Sequence, residues 1–179
     1  MSDILVVIDC QNDFIYGPLG NEHARDVVKN IQDRCKLYYN SDKPIYFTLD
    51  THNSYYGHTV EGKHVPPHCI ANTEGQAIID DLEPFLDRPN SFWINKSSFG
   101  SVELMRKIDQ EYYSFDKLSV EFVGVCTDIC VITNALMCRT FNPYIDIAVH
   151  AGCCAGTSIE KHLAALEVMQ SCNIKIIGG

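Results

Sequence analysis

The stretch Phe122-Val123-Gly124-Val125-Cys126-Thr127-Asp128-Ile129-Cys130-Val131 decides how this chain folds. An apolar run closes on Gly124, a small polar cluster follows, and Cys130 stands at the start of an amphipathic pattern that predicts a helix over 128–141. A strand therefore hands over to a helix here, with a thiol near the junction. Unpaired N–H groups and the macrodipole at a helix N-terminus stabilise negative charge, so the expectation is a thiolate-prone Cys130 at the carboxyl edge of a sheet, a candidate nucleophile.

The same alternation runs outward in both directions. Ile4-Leu5-Val6-Val7-Ile8 is a continuous apolar run ending in Asp9, the mark of a strand buried on both faces. Further strands are predicted over 45–49, ending in Asp50, over 91–95, ending in Lys96, and over 118–125, 144–149 and 173–177. Helices are predicted over 21–39, where Ala24, Val27, Val28, Ile31, Cys35 and Leu37 recur at helical spacing, and over 76–82 and 102–108. Ser158 caps a last helix to about residue 170, with Ile159, Leu163, Leu166 and Met169 on one face. Residues 51–73 follow neither period, and an aperiodic stretch of that length inside a compact fold is usually functional. Strand–helix alternation implies an α/β fold, three layers with a mainly parallel, about six-stranded sheet, in one domain over 1–179. Ligands of such sheets bind beyond the carboxyl ends of the strands, where Asp9, Asp50, Lys96 and Cys126 fall.

Charge and composition narrow the function. The net charge is −9, with 23 acidic against 14 basic residues and no basic block, which argues against a nucleic-acid partner. No apolar run is long enough to span a bilayer, and Met1-Ser2-Asp3 does not open a signal peptide, so a cytoplasmic protein without a membrane partner is expected. Nine cysteines, an odd number without a Cys-x-x-Cys pair, point to reduced, mostly buried thiols rather than a disulfide scaffold.

A thiol must lose its proton before it attacks a carbonyl, and the nearest histidine to suit, His150, is only a near miss. Asp9, following five apolar residues, is a base whose pKa burial would raise, and Lys96 would hold it in place and favour the thiolate. Asp50-Thr51-His52 opens the aperiodic stretch and Pro66-Pro67-His68-Cys69 lies within it; one carboxylate and two imidazoles suit Zn²⁺, Mn²⁺ or Fe²⁺, with Glu61 a fourth ligand, direct or through water. His23, His58, His64 and His162 are read as surface or hydrogen-bonded residues.

Asp9-Cys10-Gln11-Asn12-Asp13-Phe14 resembles the D-x-Q-N-D-F signature of the isochorismatase-like cysteine hydrolases, and Gly124-Val125-Cys126-Thr127-Asp128-Ile129-Cys130-Val131 resembles their nucleophile segment. The resemblance covers nearly the whole chain and implies an isochorismatase-like, Rossmann-like fold with a catalytic triad of Asp9, Lys96 and Cys130. It also implies a non-proline cis bond at Val125-Cys126 and an oxyanion hole from the backbone N–H groups of Cys126 and Cys130. Asp50, His52, Glu61 and His68 match the metal set of the nicotinamidase (pyrazinamidase) type. That match implies a cytoplasmic amidase of NAD salvage that holds one divalent ion, Zn²⁺ foremost. It would hydrolyse nicotinamide, with pyrazinamide a plausible second substrate, and assemble as a dimer or tetramer. Phe14 and Phe99 would stack on the flat ring, although both also read as plain core aromatics. Val65 departs from the type, which often carries Trp or Phe at that position. Two other readings stay open: a related amidase for another small amide or carbamoyl compound, and a catalytically idle binding protein.

Overall fold

The computed structural model describes residues 2–113 and 117–179. Six strands form one sheet: β1 (Ile4–Ile8), β2 (Ile45–Asp50), β3 (Ser91–Lys96), β4 (Ser119–Val125), β5 (Asp146–Ala155) and β6 (Lys175–Ile177). Their order is β3-β2-β1-β4-β5-β6, and every pairing is parallel. β1 is central and all five of its residues are buried, as its unbroken apolar run requires.

Alternate residues of the strands feed two cores. Ile4, Val6, Ile8, Phe122 and Val149 pack against α4 (Val102–Tyr112), α5 (Ile132–Phe141) and α6 (Ile159–Ser171). Leu5, Val7, Val123 and Val125 pack against α1 (Asn12–Ile15), α2 (Glu22–Asp26), α3 (Val28–Asn40) and the 3₁₀ segment Asp80–Phe85. The result is the three-layer α/β/α architecture expected from the alternation. At the amino side of the sheet, the buried Glu121 accepts from Arg34 Nε and an Arg34 terminal nitrogen, both at 2.5 Å, and from the Tyr38 hydroxyl at 3.0 Å. Among the described residues, no helix is long and apolar enough to cross a membrane.

Several boundaries differ from expectation. The helix over 21–39 is two helices that meet at Val27; the buried stripe is Ala24, Val28, Ile31, Cys35 and Tyr38, because a 3.6-residue period reaches Tyr38 and leaves Leu37 outward. Residues 76–82 form no α-helix but lie across 3₁₀ turns at Glu74–Gln76 and Asp80–Phe85; Pro84 denies the second an N–H, while Leu82 and Phe85 anchor it to the core. The helix expected over 128–141 begins as a π-helical turn, Thr127–Val131, before α5. β5 starts later than predicted, leaving Tyr144 exposed, and continues to Ala155 through small residues past a register shift. On α6 the buried face is Ala165, Leu166 and Met169, whereas Ile159 and Leu163 are exposed.

Candidate active site

The switch in strand order falls at β1, and the carboxyl ends of β3, β2, β1 and β4 open side by side there. Asp9 follows β1 with a left-handed backbone (φ 49°), a conformation aspartate tolerates better than most residues. Asp50 and Lys96 end β2 and β3 as register partners, which sets their side chains next to each other. Cys130 is the fourth residue of the π-helical turn after β4.

These residues meet. Lys96 Nζ lies 2.6 Å from Asp9 Oδ2 and 3.6 Å from Asp50 Oδ1, and it donates to Cys130 Sγ at 3.5 Å. The Thr48 hydroxyl donates to Asp9 Oδ1 at 2.6 Å. Asp9, Lys96 and Cys130 are all buried. Burial raises the pKa of Asp9 above the ordinary aspartate range, although Lys96 and the Thr48 hydrogen bond pull it down. Burial opposes the charge on Lys96, but Asp9, Cys130 and Asp50 together hold its pKa above the usual lysine range. At Cys130, where a helix N-terminus alone would favour the thiolate, burial and then the Asp9 charge push the thiol pKa up, against the pull of Lys96. Lys96 thus stands between the Asp9 carboxyl and the Cys130 sulfur.

A second cluster lies alongside. Asp50 Oδ2 faces His52 Nε2 at 3.0 Å and His68 Nε2 at 3.3 Å, and Glu61 Oε1 stands 3.8 Å from His68 Nε2. One ligand atom from each of these four residues lies within 4.8 Å of the others. His68 Nδ1 donates to the Pro66 carbonyl at 2.9 Å, which turns Nε2 into the cluster. Burial would raise the pKa of Asp50, yet His68, Lys96 and His52 hold it below the ordinary value. Burial opposes the charged form of His68, but Asp50, the Pro66 carbonyl and Glu61 keep its pKa raised.

A cavity of about 240 Å³ opens onto both clusters, lined by Cys130, Cys126, Asp50, His68 and Glu61 and by the apolar Phe14, Leu19, Val65, Phe99 and Ile129. Phe14 meets His68 edge-on, with ring centroids 5.2 Å apart, and Phe99 stands half exposed at the wall. The Val125–Cys126 peptide is cis. A larger cleft of about 440 Å³, lined by Arg34, Glu121 and Arg139, contains neither cysteine nor histidine. His150 lies away from Cys130, in a groove with Arg34 and Gly178; His23, His58 and His64 are exposed, and His162 Nδ1 bonds the Thr127 hydroxyl at 2.8 Å.

Four further residues shape the site. Gln11, wholly buried, accepts from the Asp50 N–H at 2.7 Å and donates to the Asp50 carbonyl at 2.8 Å, clasping the end of β2 as another strand would. Asn134 donates to the carbonyls of Cys130 at 2.8 Å and Phe99 at 3.0 Å, and accepts from the Ser101 N–H at 3.0 Å. Thr48 sets Asp9. Tyr56 packs on His52 and His68, with its phenol pKa pushed up to about 12 by burial, Glu61 and Asp50. Gln11 lay in plain view within the first signature; Thr48, Asn134 and Tyr56 left no periodic or motif signal.

Comparisons with known proteins bear on the family and the fold. The isochorismatase domain profile matches residues 3–178. The uncharacterised isochorismatase family protein PncA of Bacillus subtilis (strain 168) is 28% identical over 177 residues, 93% of each chain. The crystal structure of a pyrazinamidase/nicotinamidase from Streptococcus mutans UA159 is similar with a TM-score of 0.84 at 27% identity, covering 97% of this chain and 99% of that one. In fold, the chain also resembles nicotinamidase/pyrazinamidase PncA from Bacillus subtilis (TM-score 0.88, 24% identity, 99% and 100% covered). A pyrazinamidase of Pyrococcus horikoshii in complex with zinc is likewise similar in fold (TM-score 0.83, 23% identity, each chain covered in full).

Proposed function

Because this chain belongs to the isochorismatase family, we propose that it is a cysteine amidohydrolase converting nicotinamide to nicotinate and ammonia. The observation that carries the reading is one lysine touching both the Asp9 carboxylate and the Cys130 sulfur. Asp9 takes the Sγ proton, and Lys96 steadies the thiolate as it forms. The thiolate attacks the carboxamide carbon, and N–H groups of Cys126 and Cys130 receive the developing oxyanion; one such donor typically contributes roughly 3–4 kcal/mol. Asp9 returns its proton to the nitrogen as the C–N bond breaks, which releases ammonia and leaves a thioester. Water, deprotonated by Asp9, then cleaves the thioester to the acid, and the proton goes back to the sulfur.

Asp50, His52, His68 and Glu61 fit a borderline divalent cation: the donors are mixed nitrogen and oxygen, and the Pro66 contact orients His68 Nε2 toward its neighbours. When bound, the cation supplies a Lewis acid that orients a ring nitrogen and polarises water. The apolar walls from Phe14, Leu19, Val65 and Phe99 suit a small flat ring. Val65, where the resemblance leads one to expect an aromatic residue, favours one alternative, a related amidase with another small amide.

The test is ammonia release from nicotinamide, with and without a chelator. Release that the chelator suppresses and Zn²⁺ restores supports the reading. Ammonia from a different carboxamide or carbamoyl compound alone would move the protein to the related amidase.

A further inference from the structure

Among the described residues, the buried Tyr56 hydroxyl meets no hydrogen-bond partner. An unpaired buried hydroxyl costs stability, so its persistence beside a cluster of polar groups calls for an explanation. Its ring packs on both imidazoles of the candidate metal centre, 4.3 Å from His52 at a 46° tilt and 5.1 Å from His68 edge-on. The turn carrying Tyr56 is tied to the turn carrying Glu61. The Thr59 hydroxyl donates to the Tyr56 carbonyl at 2.8 Å and accepts the Gly62 N–H at 2.9 Å. Gly62 sits so close that a Cβ there would come within 2.1 Å of the Tyr56 carbonyl oxygen. Tyr56 and Glu61 are therefore braced against each other beside His68.

We propose that Tyr56 is a positioning residue for a divalent cation held by Asp50, His52 and His68, its hydroxyl donating to the oxygen ligand that completes the coordination on the Glu61 side. The inference rests on the metal reading above and adds to it a donor outside the ligand set. Such outer partners fix ligand geometry and typically change metal affinity by about 10–100-fold when removed. An unpaired donor in the metal-free protein thus becomes a paired one when the cation brings oxygen to it.

Two quantities test this on the full chain: Zn²⁺ affinity by competition with a chromogenic chelator, and the melting temperature of the metal-free protein. Tyr56→Phe keeps the ring contacts and removes one unpaired oxygen. Its metal-free melting temperature is expected to equal or exceed that of the wild type, and its Zn²⁺ dissociation constant to rise about 10-fold. Unchanged Zn²⁺ affinity overturns the inference. So does a lower metal-free melting temperature, which would mean that the hydroxyl already has a partner within the protein. If the wild type itself binds no Zn²⁺, the metal reading fails and takes this one with it; if the wild type binds and Tyr56→Phe binds equally, this inference alone fails.

Discussion

Asp9 and Asp50 share one lysine, yet their carboxyl pKa values move in opposite directions: burial wins at Asp9, and two imidazoles with Lys96 win at Asp50. The consequences for pH differ in sign. Asp9, with its pKa raised, contributes stability at low pH that is lost as pH climbs through its folded value. Asp50, with its pKa lowered, contributes stability above the ordinary aspartate value that is lost as pH falls through its folded value. As a base Asp9 must be ionised, so kcat/KM is expected to fall on acidification at a pH above the usual aspartate range. Thr48→Val removes a donor to the charged form and should move that acid limb up by about one pH unit, read from the pH profile of kcat/KM. Cys130→Ala should abolish ammonia release while Zn²⁺ affinity, measured by chelator competition, stays within about threefold, because the sulfur is no part of the Asp50 cluster. Asp9, Lys96, Cys130, Asp50, His52 and His68 were legible in the sequence because each stands at a strand end or in a dense motif. Asn134 acts through backbone groups, and no residue spacing encodes such a bond.

Elements rather than residues hold the nucleophile turn in place. Asn134, on α5, ties the Cys130 carbonyl, the Phe99 carbonyl and the capping residue of α4 into one knot. Asn134→Leu keeps the bulk but removes three hydrogen bonds to main-chain groups, and it should cost about 2–3 kcal/mol in denaturant unfolding. It should also raise KM more than it lowers kcat, since Phe99 lines the cavity wall and Cys130 keeps its place in the π-helical turn. Where sequence periodicity was strong, as in β1 and β2, the elements form within a residue of the reading, and α4 runs four residues past the expected 102–108. Periodicity misled where local chemistry intervened. The break at Val27 and the π-helical turn before α5 each rearrange a few backbone hydrogen bonds without altering the apolar pattern. Ile159 and Leu163 read as core yet face outward, because α6 rests on the sheet through Ala165, Leu166 and Met169.

On the scale of the whole molecule, strand alternation foretold a parallel sheet and a site at its carboxyl edge, but not the order of the strands, which depends on pairings between distant segments. Gly124 makes the central pairing possible. Its φ of +117° and a Cβ that would fall 2.2 Å from the Ile8 carbonyl oxygen leave no room for a side chain between β1 and β4. Gly124→Ala should therefore cost about 3 kcal/mol or more in chemical denaturation and remove activity in proportion to the folded fraction lost. The place of β1 between β2 and β4 also has a consequence during synthesis. β1 is translated before both of its neighbours, and one of them emerges only after residue 118. Until then a ribosome-bound chain presents the bare apolar edge of Ile4–Ile8 to anything that can pair with it. Chains released early, at a stop codon before β4, are expected to partition into inclusion bodies, whereas chains that reach the end of β6 bury that edge and stay in the supernatant.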